Sequence, residues 1–269
     1  MNIEPVSAAL GAVVTGMDLR TFSREEGQRV QAALDEYLVL FFRDQQLDAG
    51  SLAQAASRFG TVTPYPFVKD MPGFPGVIEV KKLPDETENF GGVWHTDTPY
   101  LPEPAAAAML YGDVIPTSGG DTLFANMYDA YDALSPGLKT LLGRLRAHFD
   151  ADKAAIAATR QHRTDQPPMR HLTAEHPVVR THPRSGRKLL YVSRAHTTRF
   201  VGWTEAESQD LLAYLFDQQN REEFTCRFSW TPGSVAFWDN RACQHYPLND
   251  YPGELRRMLR VSLAGEAPV

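Results

Sequence analysis

Three residues, two of them close together and one far downstream, have side chains that could form a metal site. Within Val93-Trp94-His95-Thr96-Asp97-Thr98-Pro99-Tyr100 an imidazole and a carboxylate stand two positions apart. Pro99 biases Thr98 away from the helical region, so the segment reads as extended chain, in which residues two apart project to one side. His95 and Asp97 then point together, with Cα atoms roughly 6–7 Å apart, while Thr96 faces the other way. Such a pair can grip one divalent ion, or it can be a strand-end histidine and aspartate bonded to each other. The short motif alone leaves both open. A further donor is His245, which follows the strand end Trp238-Asp239-Asn240-Arg241 beyond a short turn, where a barrel rim would place it. Two imidazoles and one carboxylate are the facial ligand set of non-haem Fe(II) oxygenases, which leaves three coordination positions for reactants.

A second pattern lies nearby. In Arg256-Arg257-Met258-Leu259-Arg260-Val261-Ser262-Leu263, read as a strand, Arg256 and Arg260 share a face and Arg257 is turned away. Leu259, Val261 and Leu263 face the opposite side, toward a core or a second sheet. Two guanidinium groups on one face, with Cα atoms roughly 13 Å apart, suit an elongated dianion bound by fork geometry. A solvated basic edge strand would show the same residues, and only coupling to the metal set favours the anion site.

The elements that must position these side chains are legible in outline. Residues 12–19 look like a strand. Ser23 and Glu26 form a capping box, and Val30, Ala33, Leu34 and Tyr37 follow at helical spacing, which predicts an amphipathic helix over 24–37. Leu38 to Phe42 is a continuous apolar run of strand length, expected to be buried on both faces. A helix near 50–59 is expected to close at Gly60 in the left-handed cap role. Ile78 to Lys82 and Ala105 to Val114 read as strands, and Gly119-Gly120-Asp121-Thr122-Leu123-Phe124 as a turn into another. Asn126 caps a helix carrying Tyr128, Tyr131 and Leu134, and Ser135-Pro136 restarts it. Residues 151–173, Ala-rich and then basic with prolines, lack steady periodicity and read as a lid or mobile insertion. Pro177 to Thr181 and Lys188 to Ser193 flank Pro183-Arg184-Ser185-Gly186 as a hairpin. Thr204 and Glu207 cap a helix whose Leu211, Leu212, Leu215 and Phe216 face the core. Phe224, Cys226, Phe228 and Trp230 alternate with polar residues as a half-buried strand, and Thr231-Pro232-Gly233-Ser234 turns it into Val235 to Trp238. Many short strands, no βαβ alternation and a few helices predict a mainly β chain with flanking helices, a jelly roll.

Composition bounds the partners. At 269 residues and 43% hydrophobic content the chain is expected to form one domain, 1–269, with a sizeable core. A net charge of −6 without a long basic run argues against nucleic acid. No stretch approaches the ~18 apolar residues of a membrane span, and Met1 to Gly11 does not read as a secretion signal. Two cysteines, Cys226 and Cys243, are too few for a disulfide framework, so a reducing cytoplasm is the expected location. Self-association as a dimer or tetramer is also expected.

His95-Thr96-Asp97, Gly119-Gly120-Asp121-Thr122, His176-Pro177-Val178-Val179-Arg180-Thr181-His182-Pro183, Trp238-Asp239-Asn240-Arg241, His245 and Arg256 occur in the order and approximate spacing of one family. From Gly11 to Arg260 the chain resembles the TauD/TfdA family of Fe(II)- and 2-oxoglutarate-dependent dioxygenases, which have a double-stranded β-helix fold. The resemblance implies that His95, Asp97 and His245 hold Fe(II). It implies that Arg256 pairs with the distal carboxylate of 2-oxoglutarate, helped by the Thr122 hydroxyl, and that Arg260 reaches a substrate anion. The reaction implied is hydroxylation of a small, anionic organic substrate, with 2-oxoglutarate and O2 converted to succinate and CO2. Where the hydroxyl lands beside a heteroatom, the product can collapse with bond cleavage. His176 and His182 are read as structural, and Trp94 and Trp238 as packing around the site. The chain departs from the pattern where sulfonate-binding members carry a histidine shortly after Arg-Phe-Gly. Here Arg58-Phe59-Gly60 is followed by Tyr65, and His196 replaces an aromatic. Tyr65, His196 and the Asn89-Phe90-Gly91-Gly92 loop are therefore expected to shape a pocket for a substrate other than taurine. Desaturation or epimerisation, or a catalytically idle binding protein for metal and 2-oxoglutarate, are the alternatives. A zinc hydrolase with the same ligands would have no use for Thr122 and Arg256.

Overall fold

The structure is a computed structural model and describes residues 1–153 and 172–269. The chain begins with β1 (Asn2–Pro5), β2 (Ala12–Thr15), α1 (Arg24–Tyr37), β3 (Val39–Phe42), α2 (Ala49–Ser57), β4 (Val62–Thr63) and β5 (Val77–Lys82). There follow β6 (Ala107–Val114), β7 (Thr122–Asn126), α3 (Met127–Asp132), α4 (Pro136–Leu142), β8 (Arg146–Asp150), β9 (Thr173–Pro177), β10 (Val179–Thr181) and β11 (Lys188–Leu190). The last part contributes β12 (Thr197–Phe200), α5 (Glu205–Gln219), β13 (Thr225–Phe228), β14 (Val235–Asp239), β15 (Cys243–Pro247) and β16 (Arg256–Leu263).

The main sheet runs β1-β2-β3-β14-β6-β16-β4, with β5 also paired to β16. Its central strands are buried on both faces, and their alternation sorts side chains between two cores. Val39, Phe41, Ala108, Ala236, Trp238 and Met258 enter one core. Leu40, Phe42, Met109, Val235, Phe237, Leu259 and Val261 enter the other, under the Val30, Ala33 and Leu34 stripe of α1 and the Leu52 and Ala55 face of α2. The unbroken apolar run of β3 thus has an outlet on each side, as its sequence requires. The first core is closed by the sheet β13-β7-β15, whose Phe228 stacks on Phe41 with ring centroids 4.0 Å apart. Two facing sheets buttressed by helices make the mainly β double-stranded β-helix, or jelly roll. Among the described residues no helix is long and apolar enough to cross a membrane.

Several boundaries differ from expectation for local physical reasons. The capping box at Ser23 and Glu26 is formed, but α1 ends on Leu38 in the left-handed conformation at φ 65°, so that residue is a cap and not the first of the strand. Gly60 is not the cap of α2. That helix closes on right-handed Arg58, with Arg58 N–H donating to the Ala55 carbonyl. The first strand segment is shorter than residues 12–19, and Phe224 lies in a 3₁₀ turn ahead of β13. The expected strand 177–181 is split. His176 and Pro177 finish β9 against β8, and Val178, fully buried, bonds to the Leu145 carbonyl before β10 pairs with β11. Most of the expected lid, 151–173, lies outside the described residues; Thr173 itself opens β9.

His176 carries a consequence for pH. Its ring is buried, Nε2–H donates to the Leu101 carbonyl at 3.0 Å, and burial pushes its pKa down to about 4. The unfolded chain therefore binds a proton at this residue below about pH 6.5 that the folded chain refuses until about pH 4. Its contribution to stability is whole above that window and is lost as the pH falls through it. The thermal midpoint of metal-free protein should drop between pH 7 and pH 5, and His176→Gln should flatten that slope. Parallel slopes for the two proteins would count against this.

Candidate active site

A ladder step brings the distant halves of the site together. His95 N–H donates to the His245 carbonyl at 3.1 Å and His245 N–H to the His95 carbonyl at 2.9 Å, a single antiparallel bridge beyond the edge of β15. The two imidazoles follow with centroids 4.1 Å apart, and one ligand atom from each of His95, Asp97 and His245 lies within 4.8 Å of the others. His95 Nε2 is 3.7 Å from Asp97 Oδ1. His95 Nδ1–H donates to the Val93 carbonyl at 2.7 Å, which fixes the tautomer and leaves the Nε2 lone pair for a metal. Gly91, at φ 73°, lies against this ring: an added Cβ would sit 2.9 Å from His95 Cε1.

The expected extended segment is not a strand. Thr98 is left-handed at φ 52° in spite of Pro99, and it opens a turn in which Leu101 N–H bonds to the Thr98 carbonyl. What holds Asp97 beside His95 is a side chain to which the sequence assigned no role. Asn240 Oδ1 accepts from Asp97 N–H at 2.7 Å, and the Thr96 hydroxyl donates to the Asn240 carbonyl at 2.6 Å with Oδ1 3.0 Å away. Its Nδ2 donates to the Asp97 carbonyl at 3.0 Å and to the Ala105 carbonyl at 2.7 Å. The only signal for this clamp was its place in Trp-Asp-Asn-Arg, one residue past β14.

Burial sets the electrostatics. It pushes the pKa of both imidazoles down, His245 well below the usual range, and the Arg260 cation adds to the effect in each. Both rings are thus neutral at pH 7, the form in which an imidazole can bind a metal. Asp97 is buried, and its Oδ2 lies 3.0 Å from Arg260 Nη2 without hydrogen-bond alignment. His245 Nδ1 also has no hydrogen-bond partner among the described residues. Neutral imidazoles, a buried carboxylate oxygen and an unpartnered ring nitrogen fit a divalent metal of the iron type.

On the inner face of β16, Arg256 and Arg260 are both 5% exposed, while Arg257 turns out to meet Asp113 at 2.5 Å. Burial lowers the Arg256 pKa from its ordinary value, and its Nε and Nη2 have no partner among the described residues. Gly120, at φ 70°, leaves room for it, since a Cβ there would lie 3.3 Å from Arg256 Nε. Thr122 is buried close by, its Oγ1 accepting from Trp230 Nε1 at 2.9 Å, and the Trp230 ring is 5.8 Å from Arg256 Cζ. Around Arg260, the Tyr65 ring lies 5.0 Å from the guanidinium carbon. His196 ends a row of rings that starts at Tyr65, Tyr65 to Phe67 to Tyr100 to His196, with centroids 5.0 to 5.9 Å apart. The Asn89 carboxamide, expected to line the substrate pocket, is engaged within the chain. Its Nδ2 donates to the Pro247 and Leu248 carbonyls and its Oδ1 accepts from Tyr251 at 2.5 Å, a latch between the loop and the chain after β15. His176 and His182 lie outside the ligand cluster, as expected; His182 Nε2–H donates to Asp239 at 3.0 Å. Trp238 packs on His245 with centroids 4.8 Å apart, and Trp94 on Tyr246 at 5.7 Å.

A double-stranded β-helix that gathers two imidazoles and a carboxylate between its sheets defines the class of non-haem metal oxygenases. A family model described as "Taurine catabolism dioxygenase TauD, TfdA family" matches residues 2–262. The chain is 35% identical to an alpha-ketoglutarate-dependent sulfate ester dioxygenase of Pseudomonas putida, covering 100% of this chain and 91% of that one. It is 34% identical to an (S)-phenoxypropionate/alpha-ketoglutarate-dioxygenase of Sphingobium herbicidovorans, over 98% of this chain and 95% of that one. Among solved structures, a putative alpha-ketoglutarate-dependent taurine dioxygenase from Burkholderia xenovorans superposes with a TM-score of 0.86 at 34% identity, covering 100% and 91% of the two chains. AAD-2 in complex with Mn(II) and N-oxalylglycine superposes with a TM-score of 0.84 at 28% identity, covering 99% and 98%. The chain belongs to the TauD/TfdA family and is a 2-oxoglutarate-dependent dioxygenase.

Removing the Asn240 carboxamide would leave buried backbone groups of Asp97 and Ala105 unpaired. Asn240→Ala is expected to destabilise the protein by on the order of 2–4 kcal/mol and to weaken Mn(II) binding at least tenfold. Denaturant melts and a metal titration measure both. Unchanged metal affinity would show that the bridge to His245 suffices without the clamp.

Proposed function

We propose that this dioxygenase hydroxylates a small, anionic organic substrate, with His95, Asp97 and His245 holding Fe(II), Arg256 and Thr122 holding 2-oxoglutarate, and Arg260 holding the substrate anion. The observation that carries the reading is the pair of buried guanidinium groups on one face of β16. Arg256 has N–H groups without partners among the described residues, and Arg260 stands 3.0 Å from the candidate ligand Asp97. Buried guanidinium N–H groups are costly unless an anion meets them, which calls for one at Arg256; Arg260 is already in ion-pair reach of Asp97, and its Nε–H, without a partner among the described residues, is left for a second anion.

When bound, Fe(II) supplies O2 activation coupled to oxidative decarboxylation of 2-oxoglutarate to succinate and CO2. The chain's own residues bind, orient and exclude water. Arg256 and the Thr122 hydroxyl grip the distal carboxylate, which directs the keto-acid end toward the ligand cluster. Arg260 fixes the substrate by its charge, so that one C–H bond is presented repeatedly in the same pose. Tyr65 forms the wall beside Arg260. His196 acts through Phe67 and Tyr100, and Asn89 through its grip on Tyr251, as the supports of that wall. The relatives' named substrates, a sulfate ester and a phenoxypropionate, are themselves anions in which carbon is bonded to oxygen. Hydroxylation at such a carbon gives a product that collapses with C–O cleavage, and the reading extends to this outcome.

Anaerobic loading with Fe(II) and 2-oxoglutarate, followed by exposure to oxygen, tests the proposal with a panel of alkyl sulfates, sulfonates and aryloxyalkanoates. Succinate release stimulated by one class of anion is the expected result, and His245→Ala should abolish it. Binding of metal and 2-oxoglutarate without stimulated turnover across the panel would favour a catalytically idle protein. A desaturated or epimerised product would replace hydroxylation.

The two faces of β16 give an internal comparison. Arg256→Met should raise the KM for 2-oxoglutarate about a hundredfold, the scale of losing charge-assisted hydrogen bonds to a buried carboxylate. Arg257→Met, which removes only the outward pair with Asp113, should leave it unchanged. Equal effects of the two substitutions would remove Arg256 from the site.

A further inference from the structure

Thr122 stands where β7 leaves the Gly119-Gly120 turn, and the chain of β13 and the residues just beyond it grips that point from two sides. On one side Arg227 Nε and Ser229 Oγ donate to Asp121 Oδ2 at 2.6 and 2.9 Å. On the other, the indole Nε1–H of Trp230 donates to Thr122 Oγ1 at 2.9 Å. Both members of this second bond are buried, Trp230 at 6% and Thr122 at 2% exposure. An indole nitrogen can only donate, whereas a hydroxyl offers one hydrogen and two lone pairs. With a lone pair of Thr122 occupied by the indole, its hydroxyl hydrogen is turned away from the indole. The charged group flanking that indole is Arg256, whose Cζ is 5.8 Å from the Trp230 ring and whose Nε and Nη2 are without partners among the described residues.

We infer that Trp230 is a positioning residue for the cosubstrate: its N–H locks the Thr122 hydroxyl as a donor, so that this O–H and the Arg256 N–H groups converge on the distal carboxylate of 2-oxoglutarate. The inference rests on the reading that Arg256 and Thr122 take that carboxylate. It adds a source of selectivity. A pocket furnished with donors alone accepts an ionised carboxylate and rejects its carboxamide, whose N–H groups would meet no acceptor.

Trp230→Phe keeps an aromatic ring against Phe228 and Arg256 and removes only the N–H. With Mn(II)-loaded protein under anaerobic conditions, it should weaken 2-oxoglutarate binding about fivefold to tenfold, the worth of one hydrogen bond. Pyruvate shares the keto-acid end but lacks the distal carboxylate, so its affinity should not change. At saturating 2-oxoglutarate and substrate, kcat should stay within about twofold of the parent. In a Thr122→Val background, where no hydroxyl is left to orient, adding Trp230→Phe should cause no further loss. If Thr122→Val leaves 2-oxoglutarate binding intact, the assignment of the carboxylate pocket is wrong. If Thr122→Val weakens binding while Trp230→Phe does not, or if the two losses add in full, the pocket stands and the inference about Trp230 is overturned. Should Trp230→Phe fail to fold, the parent protein gives the answer by itself. In Zn(II)-loaded, nitrogen-15-labelled protein, the indole proton adjacent to the Thr122 methyl should move downfield with 2-oxoglutarate and stay in place with pyruvate. An unmoved resonance with both overturns the inference.

Discussion

The carboxamide of Asn240 has two hydrogens to give and an oxygen to receive, and both hydrogens and the oxygen are used on the segment Asp97 to Ala105. That saturation is the constraint from which the rest of the site follows. A loop carrying two of the three candidate metal ligands has no ladder of its own beyond one bridge to His245. Loops of this kind sample many conformations, and ligand geometry does not survive such freedom. The carboxamide removes the freedom by substituting for the missing strand partner. It does so in a buried place, where leaving any of these three bonds unmade would be costly.

The turn that presents Asn240 is itself held by charge. Burial alone would push the Asp239 carboxyl upward, but hydrogen bonds from His182 and from Arg241 hold it well below the usual carboxylate range. Arg241 reaches Asp239 through Nε at 2.9 Å and Nη2 at 2.6 Å, and His182 ties the turn to the hairpin of β10 and β11. The residue before the clamp is thus pinned to a separate sheet, and the residue after it supplies the other half of the pin. Histidines that resemble candidate ligands in the sequence serve here as struts, and the ionic network stands between the fold and the candidate metal centre.

Inside the barrel the balance of charge is different. Arg256 and Arg260 are buried on one face of β16, and among the described residues Asp97 is the single carboxylate paired to either. A protein interior tolerates such an excess of cations only where anions arrive to meet them. The fold makes this affordable by spreading the cost over the many buried strands that hold β16 in place. The proposed affinity for anions would in this sense be prepared during folding, by donors left without a partner among the described residues.

Much of this was legible along the chain. Capping boxes, the two-sided apolar run of β3, the alternation through β13 and the shared face of Arg256 and Arg260 depend on residues within a few positions of one another, and their periodicity is set by backbone geometry alone. So the sequence by itself determined many of the elements, the jelly-roll class and which three residues to consider as candidate ligands; strands such as β1, β8, β12 and β15 carried no signal that was read. It did not determine the left-handed turn at Thr98, the helix end at Leu38, the latch between Asn89 and Tyr251, or the roles of Asn240 and Trp230. Each of these is a contest between a local preference and partners far away in sequence: Pro99 disfavours the conformation of Thr98, yet the bonds Asn240 makes to Thr96 and Asp97 are worth more. Hydrogen bonds of that kind become countable only once strands separated by more than a hundred residues are side by side, and tertiary structure therefore decided them.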